Sequence, residues 1–256
     1  MPPLDAHGTS AILDLQHVYS LQQAAELFAA FGWTSDASAC LERATRIRDH
    51  IVATCWNESR GLIADTPDQQ TFSQHANSYF LLTAAKGETK LTELATLVRD
   101  APDLTPATFY FSFYTHQALV QAGLGDDYPK WLAPWRKVLD FGLTTVPDPP
   151  APDARSDSHT WGSHPILGML TTILGVTPAE PGFKSVRIAP HLGDLPFARS
   201  RIPHPLGDIH VDLQRAGHGG LIATVELPPG LTGSFHWQNR EHLLSSGLQR
   251  FTFEHE

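Results

Sequence analysis

The sequence predicts a mixed helical and β-sheet protein, in which an array of helical hairpins precedes a small antiparallel β domain. Up to about residue 175, apolar residues recur at steps of three and four, the period of an amphipathic helix. Beyond that point they recur at every second position, the period of a half-buried strand. The 256 residues, 41% of them hydrophobic, suffice for a sizeable core. We therefore predict a helical domain over residues 1–175 and a β-sandwich over residues 176–256.

Short loops that contain Gly, Pro or Asp separate about seven helical segments. The first two segments are the longest, and Ser35 or Asp36 can serve as the N-cap of the second. Short loops between helices are typical of stacked antiparallel hairpins. The predicted helices cover residues 10–31, 36–56, 73–85, 89–99, 108–123, 128–141 and 160–174.

The C-terminal region contains short runs of alternating apolar residues, separated by Gly and Pro. This pattern is typical of antiparallel strands in a sandwich. The runs that define the predicted strands are 186–188, 209–213, 221–227, 235–237 and 251–253.

Charge and hydropathy exclude several classes of partner. The chain has 18 Lys and Arg against 27 Asp and Glu, a formal net charge of −9, and no cluster of basic residues. Nucleic acids and anionic membranes require a basic surface, so we expect neither as a partner. The chain contains no apolar run long enough to span a bilayer, and its start lacks the features of a signal peptide, which predicts a cytoplasmic location.

The two cysteines are predicted to be free thiols. Cys40 and Cys55 fall in one predicted helix, where 15 residues correspond to about 22 Å. A disulfide requires Cα atoms within about 7 Å of each other. Burial is therefore a better explanation for these cysteines than pairing or reactivity.

A proline-rich stretch interrupts the helical region between residues 146 and 154. Four prolines fall within six residues, so this backbone forms an ordered loop or a linker. Long stiff loops inside a compact domain are often functional. Asp148 lies between Pro147 and Pro149, and a stiff backbone is what positioning a general base requires. A solvated loop carboxylate is the simpler alternative.

Polar and aromatic residues are densest at positions 155–165, directly after this loop. They predict either a functional site or an ordinary helix start capped by Asp157 or Ser158. His159 and His164 are five residues apart, which does not suit zinc binding on one helix face, and we expect no metal or cofactor. A second polar group, residues 73–77, contains His75 and Asn77 and can likewise be a capped helix start.

Several strings in one order resemble bacterial α-L-rhamnosidases of glycoside hydrolase family 78. Thr144-Thr145-Val146-Pro147-Asp148 and the stretch from Arg155 to Pro165 resemble that family's active-site loop and the helix that follows it. Further strings agree with the C-terminal half of the family, and the resemblance extends over about residues 4–237. These further strings are 72–77, 109–114, 175–183 and 186–190.

The resemblance implies a partial (α/α)₆ barrel of six-hairpin type, followed by a β-sandwich. It also implies inverting hydrolysis of terminal α-L-rhamnosides, which requires a general acid and a general base. Asp148 occupies the position of the general base. By the same resemblance, Trp161 provides an apolar wall of the sugar pocket and His164 binds rhamnose hydroxyls. The full set of implied substrate-binding residues is Trp161, His164, His159, His75 and Asn77.

The chain departs from the family in two ways. The family usually has Glu where this chain has Asp148, and the shorter side chain places its carboxylate about 1 Å farther from the water, which can lower a rate about 100-fold. A full barrel has twelve helices, and the family's general acid lies in the part N-terminal to this chain. We therefore expect the chain to be weak or inactive alone, and to self-associate or bind the missing barrel segment through its exposed apolar helix faces.

Two alternatives remain open. A non-catalytic carbohydrate-binding or degenerate protein would keep the sugar pocket without the acid. A sugar epimerase on the same helical scaffold would use some of the 14 histidines for proton transfer, although the match at residues 144–165 favours a rhamnosidase.

Overall fold

A computed structural model describes residues 8–85, 90–148, 154–238 and 240–254. The proline-rich residues 149–153 and the predicted helix start at residue 89 lie outside the described residues. The chain divides into two compact units, one of residues 1–124 and 138–162 and the other of residues 125–137 and 163–256. The boundaries of these units differ from the predicted domain boundary at residue 175. That domain boundary stays a prediction.

Each predicted helical segment contains helix in the structure, so this half of the fold class is confirmed. The last segment is irregular, since a 3₁₀ turn at Thr160–Ser163 and a π turn at Met169–Ile173 flank a short α-helix. A π turn at Val120–Leu124 likewise follows the helix Ser112–Leu119. The α-helices are α1 Ala11–Ala30, α2 Thr34–Cys55, α3 Gln74–Leu82, α4 Leu91–Asp100, α5 Ser112–Leu119, α6 Tyr128–Trp131, α7 Ala133–Asp140 and α8 Pro165–Gly168.

Helices α1 and α2 form an antiparallel hairpin in the first unit. Ser10 caps α1 by accepting a hydrogen bond from the backbone N–H of Leu13. Leu15 and Ile51 are buried in the hairpin. Cys55 is buried and Cys40 is half-buried, and both are free thiols, which confirms the cysteine prediction. No helix of the described residues is long and apolar enough to cross a membrane.

A two-stranded hairpin follows α2, which the periodicity did not predict. Its strands are β1 Trp56–Asn57 and β2 Leu62–Ile63. The second predicted helix therefore ends at Cys55, and Gly61 (φ 64°) lies in the hairpin turn, where a left-handed backbone favours glycine.

The second unit contains two four-stranded sheets that pack face to face, as predicted for a β-sandwich. One sheet has the order β10-β7-β6-β5 and the other the order β3-β4-β8-β9. All neighbours in these sheets are antiparallel except β4 and β8, which are parallel. The strands are β3 Val176–Pro178, β4 Ser185–Ile188, β5 Phe197–Ile202, β6 Ile209–Arg215, β7 Leu221–Leu227, β8 Thr232–Trp237, β9 Arg240–Leu244 and β10 Gly247–Phe253.

The core of the sandwich comes from the inward-facing residues of both sheets. Ile188 and Phe235 from one sheet, with Val211 and Val225 from the other, are almost completely buried. Their positions agree with the alternation seen in the sequence. A second cluster of this unit contains Tyr128, Leu132 and Ile173, which places residues 125–137 with the sandwich.

Candidate active site

Asp148 has a fixed backbone position in the first unit. Its N–H donates to the carbonyl of Ser156 (2.8 Å), and the N–H of His159 donates to the carbonyl of Val146 (2.7 Å). The hydroxyl of Thr145 also donates to the carbonyl of Asp157. Pro147 is tolerated here because alternate residues of an antiparallel pair direct their backbone N–H away from the paired segment, so no hydrogen bond is lost at this position. The pairing between residues 145–148 and 156–159 therefore fixes the backbone of Asp148, although Asp148 lies outside any helix.

The Asp148 side chain is buried and carries one ion pair. The guanidinium of Arg155 donates to Oδ2 over 2.9 Å. The other oxygen, Oδ1, is enclosed and has no hydrogen-bond partner among the described residues. A buried acceptor without a donor is costly, so a hydrogen bond from water or a ligand would stabilise this oxygen, and such a molecule must first displace the groups that enclose it.

Trp161 lies next to this loop and exposes a large aromatic face. Its side chain is 64% exposed, and its ring lies 4.7 Å from that of Tyr110 and 6.0 Å from that of His159, between centroids. Gly162 lets the backbone approach the loop, because a Cβ there would come within 2.6 Å of Val146 Cγ1. Asp148, His159 and Trp161 are thus held by one pair of adjoining segments.

Aromatic contacts connect Trp161 to His75. Tyr110 contacts Tyr114 (6.2 Å), Tyr114 contacts Phe111 (5.4 Å), and Phe111 contacts the His75 imidazole (4.1 Å), measured between ring centroids. Burial lowers the pKa of His75 to about 4. His75 is therefore neutral at pH 7 and can donate or accept a hydrogen bond but carries no charge.

Asn77 is fully buried, and its amide is bound by backbone. Oδ1 accepts from the N–H of Ile63 (2.8 Å), and Nδ2 donates to the carbonyls of Ile63 and Ser73 (2.9 Å each). These bonds attach α3 to the β1–β2 hairpin. These bonds give Asn77 a structural position at the start of α3, and its contact with a substrate stays a prediction.

His164 belongs to the second unit, whereas the other candidate residues belong to the first. Its ring makes an edge-to-face contact with Trp135 at 5.1 Å, also within the second unit. The short spacing between Trp161 and His164 therefore spans a change of structural unit. The role of His164 in sugar binding stays a prediction.

Sequence reasoning missed three residues that the structure places at this site. Arg155 binds the Asp148 carboxylate, and Tyr110 and Tyr114 connect Trp161 to the ring cluster. Burial and the adjacent Tyr114 raise the pKa of Tyr110, so its phenol stays protonated. The i, i+4 spacing of the two tyrosines, which places them on one side of the turn into α5, was the available signal.

The geometry supports acid–base and apolar contacts at one place. It combines a buried carboxylate with one unpartnered oxygen and an exposed indole, which suit proton abstraction from water and packing against a sugar ring. Among the described residues, no group of three His, Cys, Asp or Glu side chains is placed to bind a metal ion.

Comparison with known proteins gives one family match and several similar structures. Residues 175–246 match the bacterial alpha-L-rhamnosidase C-terminal domain. The rhamnosidase of Bacillus sp. GL1, of family GH78, is similar over 90% of this chain with a TM-score of 0.76 and 24% identity. The α-L-rhamnosidase of Aspergillus terreus is similar over 92% (TM-score 0.75, 18% identity), and that of Streptomyces avermitilis, solved with L-rhamnose, over 93% (TM-score 0.73, 22% identity). No curated protein matches the chain.

The predicted resemblance to the α-L-rhamnosidases is thereby confirmed, by family match over residues 175–246 and by fold over about nine-tenths of the chain. This chain spans 26%, 29% and 26% of those three solved chains, in the order given.

Proposed function

From the fold that this chain shares with the α-L-rhamnosidases, we propose that it supplies the general-base side of an inverting α-L-rhamnosidase site. Asp148 is the base. The observation that carries the proposal is its carboxylate, which is buried, oriented by Arg155 through Oδ2, and left with an unpartnered Oδ1 among the described residues. The expected substrate is a carbohydrate with a terminal α-L-rhamnose.

The proton transfer assigned to Asp148 follows from its surroundings. The guanidinium of Arg155 holds Oδ2, and a carboxylate is the form that accepts a proton from water. Oδ1 then accepts the hydrogen bond of the attacking water while Oδ2 stays bound to Arg155. In an inverting enzyme the general acid lies about 6.5–9.5 Å from the base. We place that acid on the barrel segment that the larger rhamnosidases contain beyond this chain's span.

The sugar ring would pack against Trp161, whose exposed indole matches an apolar ring face. His159 and the neutral His75 would bind hydroxyl groups of this sugar. His164 is proposed as a further residue that binds its hydroxyl groups. Asn77 would act through His75, because its amide fixes the first turns of α3.

The activity test uses p-nitrophenyl α-L-rhamnoside with this chain, alone and mixed with the remaining part of the barrel from a similar rhamnosidase. General acid assistance contributes about 10²- to 10⁴-fold, so we expect little hydrolysis alone and a large increase in the mixture. Asp148→Asn should abolish the increase, whereas Asp140→Asn, at an exposed carboxylate of α7, should retain it. An inactive mixture, or full activity of Asp148→Asn, would contradict the proposal.

One observation favours a second function, the binding of rhamnose without turnover. The Arg155–Asp148 ion pair occupies the carboxylate that the reaction needs, and Oδ1 is enclosed. Calorimetric titration with L-rhamnose distinguishes the two functions. If the mixture with the remaining barrel part shows no hydrolysis, but the chain binds L-rhamnose and Trp161→Ala abolishes that binding, the result supports binding without turnover.

We further propose that the chain associates with another polypeptide through its first helical hairpin. Leu27, Phe31 and Trp33 are 57%, 66% and 55% exposed, and the Phe31 and Trp33 rings lie 5.7 Å apart. Exposed apolar clusters of this kind mark association surfaces. In analytical ultracentrifugation the chain alone should self-associate, and Phe31→Ser with Trp33→Ser should shift it to monomer. A monomeric wild-type chain at about 100 μM would contradict this, since a Kd above that value corresponds to weak association.

A further inference from the structure

A polar cavity lies on the second unit, separate from the residues of the candidate active site. Its volume is about 550 Å³, within the range of about 300–1,000 Å³ usual for small-molecule sites. The 3₁₀ turn at Gly125–Asp127 and the loop at residues 189–191 form one side, and strands β4, β8 and β9 with the turn after Trp237 form the other.

Close backbone contacts fix the first side of the cavity. A Cβ on Gly125 would come within 2.6 Å of the His191 ring, and a Cβ on Gly193 within 2.2 Å of the Asp126 carbonyl oxygen. The N–H of Gly193 also donates to Asp126 Oδ1 (3.0 Å). These contacts bring Asp126 Oδ2 within 4.0 Å of His191 Nδ1. The carboxylate and the imidazole are therefore held in place before any ligand binds.

A second carboxylate–imidazole pair lies on the opposite side. His236 and Glu241 are directly opposed in the β8–β9 pairing, with Nε2 and Oε1 3.8 Å apart. The hydroxyl of Ser234 lies 2.8 Å from the same His236 nitrogen. Strand β4 contributes Arg187, which is exposed on the same side of its sheet. These polar groups thus converge on one cavity from three neighbouring strands.

The charges that line the cavity cancel. Asp126 and Glu241 are balanced by Arg187 and Arg240, and both imidazoles can donate and accept hydrogen bonds. A ligand with a large net charge would meet both signs, whereas hydroxyl groups can satisfy carboxylate, guanidinium and imidazole alike. Trp237 also lines the cavity, and its ring packs against the sandwich core beside Phe253, at 6.4 Å between centroids.

We propose that this cavity is an accessory binding site for one neutral pyranose unit of a carbohydrate, on the β-sandwich and outside the catalytic residues. Glu241 and Arg187 would bind adjacent ring hydroxyls, and the indole of Trp237, at the edge of the cavity, would report the binding. This proposal does not depend on hydrolysis at Asp148. A chain without activity could still bind sugar here.

The test uses the full chain, labelled with ¹⁵N, and follows the indole N–H signal of Trp237, assigned with Trp237→Phe. Methyl α-L-rhamnopyranoside and the methyl pyranosides of glucose, galactose and mannose are titrated separately, with glucuronate as the anionic comparison. At least one neutral pyranoside should shift the signal with a Kd of about 10 mM or below. Glu241→Ala and Arg187→Ala should each weaken this binding about tenfold, since each removes hydrogen bonds to a charged group.

Matched variants separate this site from other surfaces. Glu226→Ala removes an exposed carboxylate from the other sheet and should leave the titration unchanged, as should Asp148→Asn and Trp161→Ala. Because Glu241 and Arg187 are exposed, their loss should not unfold the sandwich, which circular dichroism checks. The proposal is overturned if no neutral pyranoside shifts the Trp237 signal, if only glucuronate does, or if the shift persists in both Glu241→Ala and Arg187→Ala.

Discussion

Asp65 is a fully buried carboxylate with an unusual balance of contacts. Ser73 donates a hydrogen bond to Oδ1 (2.5 Å), while Oδ2 has no partner among the described residues. Burial raises the pKa of Asp65, and the Ser73 bond only partly opposes it. The native state therefore holds this proton at pH values where the unfolded chain releases it. Its contribution to stability is complete below the ordinary pKa of about 3.9 and decreases as pH rises through the raised value.

Asp65→Asn should increase the free energy of unfolding at pH 7, because an amide accepts the Ser73 bond without the cost of a buried charge. Urea unfolding at pH 4 and pH 7 should show a smaller pH dependence than in the wild-type chain. Asp140→Asn, at an exposed position, provides the control. A variant less stable than wild type at pH 7 would show that the Asp65 charge stabilises the fold.

The contribution of His75 to stability depends on pH in the opposite direction from that of Asp65. Its pKa is lowered by burial to about 4, so the unfolded chain binds a proton between pH 6.5 and 4 that the native state does not. Stability from this group is complete above pH 6.5 and is lost as pH falls toward 4. His75→Gln should reduce the loss of unfolding free energy over this window, measured by urea titration at half-unit pH steps. His50→Gln, on an exposed face of α2, should leave the slope as in wild type.

At the scale of elements, Gly175 fixes the backbone conformation directly before β3, the first strand of the sandwich. Its φ is +71°, and a Cβ would come within 2.1 Å of the Ala189 carbonyl. Gly175→Ala combines left-handed strain with a backbone clash, and we expect it to cost about 3 kcal/mol of unfolding free energy. Gly217→Ala, where a Cβ would meet nothing within 4 Å, should change stability by less than about 1 kcal/mol. Equal effects in thermal unfolding would contradict this account.

The elements that periodicity missed are mostly strands at sheet edges. Strands β3, β5 and β9 each have a neighbour on one side only, and β5 and β9 carry arginine or glutamate at exposed positions. Edge strands bury little apolar surface, so their sequences carry little alternation. Strands β6 and β7 are central, and their strict alternation made them predictable.

The candidate site was predictable only in part, for a related reason. Residue types and order indicated Asp148, Trp161 and His75, but no local pattern shows which side chain meets which. The Arg155–Asp148 ion pair and the Tyr110–Trp161 contact depend on pairing between residues 145–148 and 156–159. That pairing joins a proline-flanked segment to a polar one, neither of which has strand periodicity.

At the scale of the whole molecule, Tyr128 tests the assignment of residues 125–137 to the sandwich unit. Its ring is 2% exposed and packs with Leu132 and Ile173. Tyr128→Ala should cost about 4 kcal/mol, as expected for a buried aromatic truncated to alanine. Hydrogen exchange should then accelerate in residues 173–202, more than in α1 and α2. Leu139→Ala, at an exposed side chain of α7, should accelerate neither region. Faster exchange in α1 and α2 alone would contradict the assignment.

The chain passes between its two compact units three times, after residues 124, 137 and 162. Neither unit is therefore a single stretch of sequence. A gene that ended at residue 162 would leave Tyr128 and Leu132 without Ile173, and one that began at residue 163 would leave Ile173 without them. A single recombination point in the gene that transferred all the sandwich strands would therefore separate them from residues 125–137, because those residues are encoded inside the other unit.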